Sequence, residues 1–355
     1  MRPAQSLLGL FLIIASSGCA VLSGDSSYKG PAPRPPQLET YYSKGNSYSG
    51  FSSREIQRNK QYVVNEITIK TASGDIVIDY YDAPKKDADL VLVFPLLGGK
   101  PIVSQHFAEY FAEHNIDSAI VRRNDDFKNP ANFGKIEEML RLNVVRDRIA
   151  LDFFEKEMGK ENFGGFGVSR GAINLSMTAG VDPRIKYNVI AMGASDLPLI
   201  FRDSNQGRIQ KYIETVMSER KLSKPQVFTF LQEQVKTDPK YVAKHIDARN
   251  TMMFLSVFDR TVPYKYGRRL RHEIGNPRTV FLTADHYTIV LYTQLFSILP
   301  PGRSGGLFPF GYLELESLDF FREKFKRKET TWKLWPFKIL RAPFDAIGYG
   351  LEKLF

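Results

Sequence analysis

Ser169, Asp259 and His286 have the residue types and the order needed for nucleophilic acyl transfer. A serine hydroxyl is a weak nucleophile unless it is held in the open beside a base. A histidine becomes that base when an acid fixes its tautomer. Ser169 lies in Gly167-Val168-Ser169-Arg170-Gly171, between a strand-like run over 163–167 and a helix-like run beginning at Ala172. A sharp strand-to-helix turn would hold the hydroxyl clear of the backbone, and it needs glycine two residues to either side. Such a pentapeptide arises by chance in roughly one chain in ten of this length, so the acid and the base decide its meaning. Asp259 follows the continuous apolar run 251–258, and His286 follows the shorter run 279–282 with Asp285 beside it. Each of the three thus stands just past the C-terminal end of a predicted strand, the edge at which open α/β sheets bind ligands.

At these residues the chain resembles the α/β-hydrolase superfamily, over about residues 60–325. Ser…Asp…His is that family's chain order, distinct from the two other common orders. The resemblance extends to Val91-Leu92-Val93-Phe94-Pro95-Leu96-Leu97-Gly98-Gly99-Lys100, where the family places an oxyanion loop after a buried strand. The loop often begins His-Gly; here Pro95-Leu96 stands in that place. The donors needed are backbone N–H groups, so the departure leaves the role open to Leu96 or Leu97, with Arg170 supplying the second. The resemblance implies Ser169 as nucleophile, His286 as base and Asp259 as the acid that orients it. Asp196 is the rival acid, because it follows the strand-like run 187–192, but its place before Leu197-Pro198 suits a helix cap. Asp285 is adjacent to His286 and expected to point away. The other histidines do not compete. His106 and His114 flank an apolar helical pattern as partly exposed residues, and His245 and His272 lie among charges. None shows metal-ligand spacing, so neither a metal nor another cofactor is expected.

The elements that must position these residues follow from periodicity. Residues 62–70 and 75–81 alternate apolar and polar around the turn 71–74, which predicts an antiparallel hairpin. A buried strand over 90–94, a helix over 103–113 and a strand over 118–121 follow. Ile136, Leu140, Val144, Leu151 and Phe154 mark a long amphipathic helix before the nucleophile strand. The expected fold class is α/β, a mostly parallel central sheet with helices on both faces. Residues 197–248 break the rhythm with two helical patterns, which the resemblance implies to be a helical lid insertion. The hydrolase domain is expected over 61–325.

The termini suggest an address. Arg2, the apolar run Leu7–Ala15 and the small residues up to Cys19 read as a secretory signal over 1–18, too short to span a bilayer comfortably. Cys19 is the only cysteine, so no intramolecular disulfide can form. Ser17-Gly18-Cys19 resembles the lipobox of bacterial lipoproteins, which implies lipidation at Cys19. Ala20 after the cysteine implies the outer membrane, facing the periplasm. Residues 19–60, with Pro31, Pro33, Pro35 and Pro36, suit an extended tether, although Tyr41, Tyr42, Tyr48 and Phe51 could dock it. Residues 326–355 form a basic aromatic extension carrying both tryptophans, able to touch a membrane surface or the protein's own body.

Composition agrees with a substantial core: 355 residues, 43% hydrophobic and 25% charged. The net charge of +10 is scattered, with no nucleic-acid-binding motif beside it, so nucleic acid is not an expected partner. The expectation is a membrane-tethered serine hydrolase of the cell envelope, cleaving a small-molecule or lipid-like carboxylic ester. Peptidase, thioesterase or acyltransferase chemistry with the same triad, or a non-catalytic envelope binding protein on this fold, are the alternatives.

Overall fold

The computed structural model describes residues 20–45, 47–85, 89–96, 102–123, 129–282, 284–289, 293 and 311–328. The signal segment, Cys19, Leu97, Gly98-Gly99 and the extension from 329 onward lie outside the described residues.

Apolar runs of strand length alternate along the chain with helix-length patterns, and they assemble as that rhythm requires. The strands are β1 (Ala20–Leu22), β2 (Gly50–Arg58), β3 (Val63–Lys70), β4 (Ile76–Asp82), β5 (Asp89–Phe94), β6 (Asp117–Val121), β7 (Asn162–Val168), β8 (Ile185–Ala191), β9 (Thr251–Ser256) and β10 (Arg278–Leu282). Their order across one sheet is β1-β10-β9-β8-β7-β5-β6-β4-β3-β2. The six strands from β6 to β10 are mutually parallel, and β1 and the β4-β3-β2 meander complete the two sides antiparallel. β5 is followed by β6 on one side and by β7 on the other, so the direction of winding reverses beside β7. Crevices of that kind take ligands in doubly wound sheets.

Strand pleating divides the core into two layers. Val91, Val93, Phe166, Val189 and Phe254 face one side, where α2 (Ile102–Glu113) and α10 (Tyr312–Lys324) bring Phe107, Phe111, Leu318 and Phe321. Leu90, Leu92, Phe163, Ile190 and Met253 face the other, against α3 (Ile136–Met158), α4 (Arg170–Val181) and α9 (Tyr264–Ile274). This is the mostly parallel sheet, covered by helices on both faces, of an α/β-hydrolase fold.

The insertion 197–248 contributes α5 (Leu197–Asp203), α6 (Gly207–Arg220), α7 (Lys224–Gln234) and the short α8 (Pro239–Val242). Ile200, Ile213, Val216, Val227 and Leu231 pack on Ile136, Leu140, Val144, Ile173 and Met177 of α3 and α4, which makes a third apolar layer.

The stretch expected as an extended tether is instead a strap across the body. Ala20–Leu22 pair with β10, Pro36–Tyr41 form α1, and Gly50–Arg58 form an edge strand. Arg34 donates to the carbonyls of Ala179 (2.8 Å) and Gly180 (2.9 Å), satisfying the last turn of α4. Tyr42 is buried, with its hydroxyl donating to Thr237 Oγ1 at 3.1 Å. Lys44 pairs with Asp152 at 2.7 Å, and Glu39 with Arg148 at 2.6 Å. Proline suits residues 31–35 to extended chain, but Arg34 among the prolines and Glu39, Tyr42 and Lys44 after them find partners on the body beneath.

Candidate active site

The elbow begins with a geometric necessity. Ser169 has φ 53° and ψ −120°, a strained conformation for a residue with a Cβ. Its N–H donates to the carbonyl of Ala191 at 2.8 Å, and its carbonyl accepts from Ile173 N–H at 3.1 Å, so the strained residue is fixed at both ends. A Cβ at Gly167 would come within 2.6 Å of the Gly171 backbone, and one at Gly171 would collide with the Phe94 carbonyl. Both glycines are therefore required by close approach. The second also shows that the end of β5 presses against the elbow, which brings Pro95 and Leu96 to the start of α4.

Asp259 and His286 arrive on two loops bonded to each other. Val257 N–H donates to Leu282 O (3.0 Å), and Phe258 N–H donates to Ala284 O (3.1 Å). His286 Nε2 lies 3.0 Å from Ser169 Oγ, and His286 Nδ1 lies 2.7 Å from Asp259 Oδ2. The other oxygen, Asp259 Oδ1, accepts from the N–H groups of Thr261 and Val262, each at 2.9 Å. Those two donors fix the carboxylate's rotation. The Asp259 side chain is 3% exposed and the imidazole 12%, so the hydrogen bond between them is shielded while the serine edge stays reachable. Held this way, Nδ1 carries its proton toward the carboxylate and Nε2 is left with a lone pair facing the serine hydroxyl.

Asp196 does not meet the histidine. Its carboxylate takes Arg269 Nη1 at 2.6 Å and Lys240 Nζ at 3.2 Å. It stands at the N-cap position of α5, as its place in the sequence suggested, but at φ 73° and without a side-chain capping bond. The capping is done by Asp238, which accepts from the N–H groups of Asp196 (2.9 Å) and Leu197 (2.5 Å). Asp285 turns back on its own loop, accepting from Thr288 and Tyr287 N–H at 2.8 Å each, and these bonds hold its carboxyl below the usual range.

Three long-range contacts left no mark in the sequence reading. Ser204 Oγ donates to Thr261 O at 2.6 Å and Asn205 N–H to Arg260 O at 3.0 Å, which ties the insertion to the loop carrying Asp259. His106 Nε2 lies 2.8 Å from Oε1 of fully buried Glu314, so this helix histidine links α2 to α10. His245 is also buried, with Nδ1–H donating to Ala32 O of the strap at 2.9 Å. Burial lowers the pKa of that imidazole. Of the oxyanion candidates, Leu96 is half-buried after β5 and Arg170 opens α4 directly behind Ser169. Among the described residues no group of three or more His, Cys, Asp or Glu could hold a metal ion.

Neither a family model nor the sequence of a curated protein matches the chain. Solved structures do resemble it. Acetyl xylan esterase 1 from Thermoanaerobacterium sp. JW/SL YS485 aligns with a TM-score of 0.55 at 14% identity, over 73% of this chain and 91% of that one. An acetyl xylan esterase from Paenibacillus sp. R4 gives 0.53 at 16% identity, over 71% and 87%. Uncomplexed Pyrococcus horikoshii acylaminoacyl peptidase gives 0.51 at 15%, over 76% of this chain and 42% of that one. At such identities the likeness is one of fold, and the fold these proteins share with this chain is the α/β-hydrolase fold.

Proposed function

We propose that the chain is a serine hydrolase that cleaves a carboxylic ester through an acyl-enzyme intermediate, held at the membrane by lipidation of Cys19. The observation that carries the catalytic reading is the continuous relay from Ser169 Oγ through His286 to Asp259, at 3.0 Å and 2.7 Å. Ser169 Oγ attacks the ester carbonyl as His286 Nε2 takes its proton. The imidazolium, stabilised by Asp259, then returns that proton to the departing alkoxide. Water repeats the sequence on the acyl-enzyme and frees the acid. The developing oxyanion would be met by Arg170 N–H and by an N–H of the loop after β5, from Leu96 or Leu97. One such donor is worth about 3–4 kcal/mol of barrier. The insertion, bonded to the acid loop through Ser204 and Asn205, is suited to wall the acyl pocket as a lid.

The test is Ser169→Ala. Hydrolysis of a soluble short-chain ester should fall by roughly three to six orders of magnitude, with the melting temperature unchanged. A fluorophosphonate should label the unsubstituted chain at Ser169. Labelling elsewhere, or turnover surviving in the variant, removes the assignment. The esterase-named solved structures support an ester over a peptide only by likeness of fold. A matched ester and amide pair decides between them.

A further inference from the structure

β1 enters the sheet at its catalytic edge. It runs antiparallel to β10, with Ala20 opposite Phe281 and Leu22 opposite Thr279. β10 is parallel to β9, so Ala20 lies toward the strand ends that lead to Asp259 and His286. From β1 to β7, the strand before Ser169, there are four strand spacings, about 19 Å. Cys19 is one residue from Ala20 in sequence, and one residue spans at most about 3.6 Å. With the strap docked, no spacer lies between a lipid at that cysteine and the sheet.

The same edge carries an apolar rim. The three most exposed large apolar side chains among the described residues are Phe258 (65%), Tyr287 (63%) and Ile102 (62%). Phe258 precedes Asp259, Tyr287 follows His286, and Ile102 opens α2 after the candidate oxyanion loop. Exposed apolar residues scattered singly need no explanation, but three gathered about one site do. The rim carries one exposed charge of each sign, Arg260 on the loop of Phe258 and Asp285 on the loop of Tyr287. Exposed aromatic residues are what a protein seats at a lipid interface, and a lipid on Cys19 would bring this edge to one.

We propose that this rim docks on the lipid bilayer, so that the catalytic edge faces the membrane and takes its ester from the lipid surface. The inference rests on the lipid-anchored hydrolase reading above. The test reads orientation without needing turnover. The full chain, purified from membranes and carrying Ser169→Ala to spare the lipid and Trp332→Phe and Trp335→Phe to clear the background, is reconstituted into phosphatidylethanolamine–phosphatidylglycerol vesicles. Phe258→Trp and Tyr287→Trp are introduced singly, with Ile56→Trp on distant β2 as the control. Rim tryptophans seated about 5–10 Å deep should lose about half their emission to lipids brominated near the headgroup, and the control almost none. Hydrogen exchange of the Ser169→Ala chain with both tryptophans intact gives a second reading, in which residues 257–262 and 284–289 should slow several-fold on vesicles relative to detergent. Rim probes unquenched on vesicle-bound protein, or protected only by a second copy of the chain in solution, overturn the proposal. So does a full chain that fails to bind the vesicles. Soluble-ester turnover by the unsubstituted chain reports on the hydrolase reading separately, so the two can fail independently.

Discussion

At the scale of single residues, the relay and the rival acid separate by what surrounds each carboxylate. Asp259 has one oxygen for His286 and one for the Thr261 and Val262 amides, whereas Asp196 has spent both on Arg269 and Lys240. Asp259→Asn should therefore cut ester turnover by about 10⁴-fold, through the wrong imidazole tautomer, with stability nearly unchanged. Asp196→Asn should leave turnover within a few-fold and lower the melting temperature instead, because Arg269 and Lys240 lose their counter-charge. Turnover constants and thermal melts of the two purified variants decide it, and the opposite pattern would exchange their roles. The placement of Ser169 and His286 at strand ends was legible because strand ends and glycine spacing are local. What fixes Asp196 was not, since Lys240 and Arg269 come from α8 and α9 and nothing near Asp196 announces them. The residues that steady Asp259 are a middle case. An aspartate two and three residues before the amides it accepts from is a local turn, readable once the acid itself is chosen.

At the scale of elements, the strap is the main departure from the sequence reading. The hairpin, the long helix and the buried parallel strands appear where periodicity puts them, because each carries its own apolar pattern. The strap's proline content describes its backbone and says nothing of the grooves that receive it. Its anchor is a charge network in which Arg184 joins Asp182 (2.8 Å), Asp152 (2.8 Å) and Glu155 (3.0 Å), while Lys44 reaches Asp152 and Arg148 reaches Glu39 and Asp182. Burial alone would raise the Asp182 carboxyl, but the Arg184 hydrogen bond and the Arg184 and Arg148 charges outweigh it and hold it below the usual range. Burial also works against Asp152, and Lys44, Ser47 and Arg184 outweigh it in the same way. Carboxyls depressed in the folded state stabilise it above their unfolded pKa, about 3.9, and lose that effect as pH falls through the folded values. Arg184→Met should cost about 2 kcal/mol at pH 7, a figure reduced for the partial exposure of the guanidinium. The gap from the unsubstituted chain should close below about pH 4. Urea titrations of both proteins from pH 7 down to pH 3 measure it, and a gap that persists at low pH would assign the loss to packing.

At the scale of the whole molecule, attachment and assembly both turn on where the chain begins its sheet. No helix among the described residues is long and apolar enough to cross a membrane; the anchor proposed at Cys19 is tested by substitution. Cys19→Ser should move the protein from the membrane pellet to the soluble envelope fraction, and removing 331–355 as well should change little at high salt, where headgroup attraction is screened. A Cys19→Ser protein that stays in the pellet at high salt until 331–355 are removed would place the anchor at the C-terminus. The β1–β10 pairing has a second consequence, in the order of assembly. The strand made first can be completed only by a strand made near the end, with almost the entire body synthesised between them. Closing so long a loop is slow, and the contact is repaid only after the intervening strands have formed. The N-terminal strand should thus be among the last parts to lock and the first to release. A newly made chain would keep its leading end free until the rest of the sheet exists to receive it.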